Sequence, residues 1–289
     1  MEKFQEIKKA SILGMLGNIF LLIIKALVGI VTNSRAMLAD AMNSAGDIFS
    51  SIMTFIGNKI ASLPSDDDHN LGHGKAEYIY SLLISIAMML MTYQVLKGSL
   101  LSLINKEKYQ FSIWLIIVCV ITIIIKLSLY LYTNALYKKN HNLLLKANSK
   151  DHRNDCLLTT MNLIATIFSL FDIYFVDGIV GIIIALWILV TAVEIFKESY
   201  DVLMDKSIDE ETKEKVLEII SSHKEVKKVI HFNSAPVGYK YQISFTIYVD
   251  GTLSTFESHD IANDLEKEID KKIPEVYLTV IHVNPLEIK

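Results

Sequence analysis

Hydrophobic residues run through six stretches long enough to cross about 30 Å of hydrocarbon at roughly 1.5 Å per residue of helix. They fall near residues 11–31, 37–60, 77–101, 111–136, 147–171 and 177–199. The second and fifth are the least apolar. Ser44, Gly46, Ser50 and Ser51 interrupt one, and Lys150, His152, Arg153 and Asn154 interrupt the other. Such helices belong inside a bundle, where their polar side faces a path that lipid does not touch.

After residue 205 the pattern changes to that of a small α/β domain. Asp209 predicts the cap of a helix running to Ser222, followed by a strand near 226–233 and a turn from Pro236 to Gly238. Tyr241, Ile243, Phe245, Ile247 and Val249 then alternate with period two, as a half-buried strand requires. Ser254 and Glu257 have the spacing of a capping box, opening a helix to Lys272 before a last strand over 276–283. The expected architecture is an α-helical membrane protein with six transmembrane helices over residues 1–205. A cytosolic αββαβ, ferredoxin-like domain follows over 206–289. At about 80 residues it has a modest core and is expected to lean on a second copy.

Composition agrees with this division: of 289 residues, 52% are hydrophobic and 21% charged, too apolar for a soluble chain and too charged for a wholly embedded one. The net charge of -4, with no basic block, gives no support to nucleic-acid binding. Cys119 and Cys156 lie in apolar segments without a partner pattern and read as buried thiols. The start MEKFQEIKKA is charged and the first apolar run is too long for the core of a signal peptide, so the first helix is expected to remain as an anchor. Lys3, Lys8, Lys9, Lys75, Lys138, Lys139 and Lys146 fall on one side of the six spans, against Arg35, Lys106 and Lys108 on the other. The excess of positive charge places both termini in the cytoplasm, with the plasma (inner) membrane as the expected location.

Two pairs of oxygen-bearing residues inside these spans carry the candidate chemistry. Asn43 and Asp47, and Asp151 and Asp155, are each separated by one helical turn, so both members of a pair project from one face. An Asp at the centre of a spanning helix costs about 3 kcal/mol on the mildest scale, and three of them need a reason. One reason is a divalent-metal site. Another is simple pairing with Lys25, Lys126 or Arg153, or the lining of a wet crevice. A short internal repeat favours the first, because Ala39-Asp40-x-x-Asn43-x-x-x-Asp47 aligns on Ala147-Asn148-x-x-Asp151-x-x-x-Asp155 at a constant offset of 108 residues. With three spans per half, the copies run in opposite directions and bring a substrate site to the midplane.

Oxygen ligands suit a hard divalent ion, with Mn²⁺ the best match, Fe²⁺ next, and Mg²⁺ disfavoured because it keeps its waters. His152 and Cys156 are each one residue beyond an Asp and point roughly 100° off the ligand face. A second candidate cluster is Asp66, Asp67, Asp68, His69 and His73, read as a divalent-ion site or as a solvated acidic loop. In the last domain His231, His259 and His282 could converge on a third ion.

At these residues the chain resembles the cation diffusion facilitator family. The likeness is carried by SRAMLADAMNSAGDIFSS at 34–51, LGHGKAE at 71–77 and ANSKDHRND at 147–155, with six spans and an αββαβ domain around them. The resemblance implies a homodimeric antiporter that moves divalent metal out of the cytoplasm in exchange for protons, with no cofactor beyond its cargo. It maps the transport site onto Asn43, Asp47, Asp151 and Asp155, and a secondary loop site onto Asp66, His69 and His73. Asp151 stands where zinc-transporting members typically have His, so the chain looks like the manganese-transporting branch. His259 and His282 match places in the family's regulatory domain, whereas Ile230, Thr246 and Asn284 depart from its zinc-binding pattern. Alternatives are a zinc or iron exporter of the same family, a membrane metal sensor, and a Mg-dependent prenyltransferase-like membrane enzyme, which also uses intramembrane Asp motifs.

Overall fold

The computed structural model describes residues 2–31, 35–105, 113–169 and 175–286, so Lys106 and Lys108 lie outside the described residues. Six long helices come first: α1 (Glu2–Val31), α2 (Arg35–Ala61), α3 (Ala76–Asn105), α4 (Ile113–Asn140), α5 (Leu143–Ser169) and α6 (Phe175–Leu203). Among the described residues three of them, α1, α3 and α4, are long and apolar enough to cross a membrane by length and composition. Helix α5 falls short because its first half, LLLKANSKDHRND, is rich in charged residues.

The chain forms two compact units, Met1–Leu63 with Ala76–Tyr200, and Pro64–Lys75 with Asp201–Lys289. In the helical unit α1 packs most extensively on α2, and α4 on α5, while α2 also meets α3 and α5. Large apolar side chains such as Leu16, Leu27, Ile30, Ile124, Leu131 and Trp187 face outward, each more than half exposed. Polar ones, including Asn18, Ser44, Ser51, Thr54, Thr122 and Asn148, are buried. That inversion suits a protein whose surroundings are hydrocarbon. Helix α5 is anchored at its start, where Asn142 Oδ1 accepts the Leu145 N–H at 3.0 Å and buried Glu77 accepts the Leu143 N–H at 2.5 Å. Both contacts satisfy donors that a helix leaves open at its first turn.

The second unit contains α7 (Glu210–Ser222), β1 (Lys228–Val237), β2 (Lys240–Asp250), α8 (Thr255–Lys272) and β3 (Val276–Leu286). The sheet order is β1-β2-β3, with β1 antiparallel and β3 parallel to β2. Asp209 caps α7 by accepting the Thr212 N–H at 2.9 Å, and Ser254 with Glu257 forms the capping box of α8. Ile243, Phe245, Ile247 and Val249 of β2 pack with Val216, Ile220, Leu265 and Ile269 of the helices.

Strand β1 differs from its predicted course. It runs to Val237, keeping Pro236 in register with Tyr241, and the turn is made by Gly238 and Tyr239. A proline is tolerated there because β1 is an edge strand, and Gly238 supplies the left-handed φ of 62° that the turn needs. The register shifts between Ile230 and Asn233, a bulge in which His231 adopts a φ of 55°. The segment Pro64–Lys75 is held to this unit by Lys75, whose Nζ lies 2.6 Å from Asp205.

Candidate metal centre

Helices α2 and α5 bring Asp47, Asp151 and Asp155 together. One carboxylate oxygen from each lies within 4.8 Å of the other two, and all three residues are buried. The i,i+4 spacing of Asp151 and Asp155 keeps both on the face of α5 that meets α2. Asn43 stands one turn before Asp47 on α2 and is half-buried. Beside the carboxylates a narrow cleft is lined by Met88, Met91 and Thr92 of α3, Asp151, Asn154, Asp155 and Leu158 of α5, and Ile188 of α6. Gly46 lets α3 come close here, since a Cβ on it would sit 3.2 Å from Met91 Sδ.

Of the three basic residues that could pair with these carboxylates, Lys25, Lys126 and Arg153, the structure selects one. Lys126 Nζ lies 2.7 Å from Asp47 Oδ2 and 2.6 Å from Asp155 Oδ2. Lys25 is turned to Asp40 at 3.0 Å and donates to Ser44 Oγ at 3.1 Å. Arg153 donates to Thr191 and Asn154, each at 3.1 Å, and lies over the ring of Trp187. The signal for Lys126 was a lysine in an otherwise apolar helix, but its partner depends on how α4 is rotated against α2 and α5.

Pairing does not exhaust the oxygens. Asp47 Oδ1 and Asp151 Oδ2 are buried without a hydrogen-bond partner, and a buried acceptor left so is costly unless something further binds it. Three carboxylates with spare oxygens fit a hard divalent cation. Among the described residues no imidazole or thiolate joins them: His152 is fully buried on the side facing α1, where a Cβ on Gly14 would lie 3.4 Å from its Nε2. Cys156 is absent from the group as well.

The loop residues form a second group. Ligand atoms of Asp66, His69 and His73 all lie within 4.8 Å of one another. Asp66 Oδ1 accepts the His69 backbone N–H at 2.6 Å, His73 Nε2 lies 3.5 Å from Asp66 Oδ2, and the two imidazole rings are 4.4 Å apart. The His69 backbone N–H holds the Asp66 carboxyl below its usual range, opposed by partial desolvation and aided by the His69 ring. Asp67 and Asp68 are exposed and outside the group.

The three histidines of the last domain are placed as follows. His231, His259 and His282 are all exposed and form no common group among the described residues. His231 sits in the bulge of β1 and His282 on β3, with β2 between them, so the sheet holds those strands roughly 10 Å apart. Thr246 is in register with Ile230 on one side and His282 on the other. That row across the sheet therefore places one imidazole beside a hydroxyl and an alkyl group.

Comparison with known proteins agrees over nearly the whole length. Residues 11–204 match the cation efflux transmembrane domain, and residues 208–286 match the cytoplasmic domain of cation efflux proteins. The chain belongs to the cation efflux family. These proteins, the cation diffusion facilitators, are membrane transporters and not prenyltransferase-like enzymes. The manganese efflux system proteins MneP and MneS of Bacillus subtilis (strain 168) are 28% and 29% identical to this cation efflux chain, over 98% and 100% of it and of themselves. The cation-efflux pump FieF of Shewanella oneidensis is 26% identical over 98% of the chain and 95% of its own length.

Proposed function

We propose that this cation efflux protein is a Mn²⁺/H⁺ antiporter that carries metal out of the cytoplasm by alternating access. The observation that carries the reading is the convergence of Asp47, Asp151 and Asp155, three buried carboxylates from two repeated halves, with oxygen as the ligand atom throughout. Asn43, one turn from Asp47, supplies the fourth oxygen. Carboxylates bind metal in their ionised form, so metal entering from the cytoplasm releases protons and metal leaving outward admits them. One site then serves both substrates.

In this reading all six helices span the plasma (inner) membrane, both termini are cytoplasmic, and residues 1–205 form the transport domain. Residues 206–289 serve regulation and dimerisation of a homodimer. Asp66, His69 and His73 form a secondary divalent-ion site in the connection between α2 and α3, supported by their spacing. The choice of manganese is supported by the all-oxygen ligand set and by the names of MneP and MneS. Export of Fe²⁺ or Zn²⁺ is the second reading, since a relative named only as a cation-efflux pump is comparably similar.

The test is uptake into proteoliposomes under a fixed pH gradient, comparing Mn²⁺, Fe²⁺, Zn²⁺ and Mg²⁺. Mn²⁺ is expected to move fastest and to drive proton movement the opposite way. Faster Zn²⁺ transport, or Mn²⁺ transport without proton flux, overturns the assignment.

A further inference from the structure

The carboxylates of the proposed transport site already share a cation that belongs to the chain. Lys126 is fully buried, and its Nζ bridges Asp47 Oδ2 on α2 and Asp155 Oδ2 on α5 at 2.7 and 2.6 Å. Its backbone is fixed by packing, because Val118, Thr122, Lys126, Leu129 and Thr133 make up the buried stripe of α4. The ammonium itself is carried on a flexible four-carbon stem. Lys25, its counterpart in the first half, is committed to Asp40 and Ser44. Among the described residues, Lys126 is the ammonium in direct contact with these carboxylates.

A divalent ion seated among oxygens that lie within 4.8 Å of one another would stand a few ångströms from this ammonium. In a poorly screened interior the two charges repel strongly, and both draw on the same carboxylates. We propose that Lys126 is a tethered competitor of the transported ion, holding the α2 and α5 carboxylates together between cargoes and loosening the grip on metal so that it can leave. This inference rests on the transport-site reading above. Entry of the divalent ion breaks the contacts of Nζ with Asp47 and Asp155, and its exit lets the ammonium return. Without it, three carboxylates would face the metal with no opposing charge, and tight binding would slow release.

The experiment measures Mn²⁺ binding to the purified full-length protein by calorimetry, and transport in proteoliposomes, for three variants. Lys126→Met keeps the length of the side chain and removes its charge, so Mn²⁺ binds at least about tenfold tighter, and KM and kcat fall together. Lys126→Arg keeps the charge in a planar fork that grips two carboxylates, so it binds Mn²⁺ more weakly than the parent. Unchanged or weaker binding in a Lys126→Met protein that elutes and unfolds like the parent overturns the inference, as does a fall in kcat without a fall in KM. If Lys126→Met does not fold, Lys126→Arg decides alone, and binding equal to or tighter than the parent overturns it. Asp155→Ala separates the two readings. Retained Mn²⁺ binding there overturns the transport site itself, whereas lost binding there with no tightening in Lys126→Met overturns only the role of Lys126.

Discussion

The core of the α/β unit is hydrocarbon, built from Val216, Ile220, Ile243, Phe245, Ile247, Leu265 and Ile269, and its buried polar side chains among the described residues are three threonines, Thr212, Thr246 and Thr279. The helical unit buries Lys25, Asp47, Lys126, Asp151 and Asp155 instead. Burying hydrocarbon from water stabilises a fold by roughly 25 cal/mol per Å². Burying charge does the reverse unless each charge is paired, and replacing a buried pair by well-packed apolar residues is often neutral or stabilising. Stability therefore accounts for the α/β core and not for the charged interior of the helices. In the proposed function these charges are kept to bind an ion; Lys126 touches two of the three carboxylates and offsets one unit of their charge.

The widest separation between the two regions comes from paired substitutions. Asp47→Ala is expected to abolish metal-dependent proton flux in proteoliposomes, while Ile247→Ala leaves Mn²⁺ affinity unchanged and costs about 2–5 kcal/mol of stability through the cavity it opens. Calorimetric unfolding and metal titration of both proteins check this. Flux retained by a folded Asp47→Ala protein, or metal affinity lost with Ile247→Ala, would erase the division of labour.

A smaller effect sharpens the ligand argument within the helical unit. Asp151→His replaces an oxygen ligand by a nitrogen and removes a charge, so transport of Zn²⁺ relative to Mn²⁺ is expected to rise roughly tenfold. Competition between the two ions in the same vesicles reads this directly. An unchanged ratio would assign selectivity to access through the cleft beside Met91.

The smallest effect concerns the α/β unit alone. Asp209→Ala removes the cap of α7 and is expected to cost about 1 kcal/mol, seen as a lower thermal midpoint. The Thr212 backbone N–H holds the Asp209 carboxyl below its usual range. A depressed carboxyl stabilises the fold above its unfolded pKa and loses that contribution as pH falls through the folded one. The midpoints of the two proteins should therefore converge in acid; a constant gap down to low pH would mean that the cap acts by some other route.

Features set by neighbours along the chain could be read before any coordinates. The six apolar runs became six helices, Asp209 and Ser254 cap α7 and α8, and the alternation from Ile243 to Val249 is the buried face of β2. Asp151 and Asp155 share a face because one helical turn separates them, whatever surrounds the helix. Boundaries that depend on a partner strand were less accessible, as Pro236 shows by staying in β1 instead of turning the chain.

Relations between distant segments had to wait for the packed molecule. Lys25, Lys126 and Arg153 are equivalent candidates in one dimension, and the rotation of α1, α4 and α5 in the bundle gives the carboxylates to Lys126. The separation of His231 from His282 by the width of β2 is likewise set by the sheet order. Short-range hydrogen bonding and side-chain periodicity act within a few residues and are written locally, whereas the meeting of charges depends on how whole helices and strands are turned against one another.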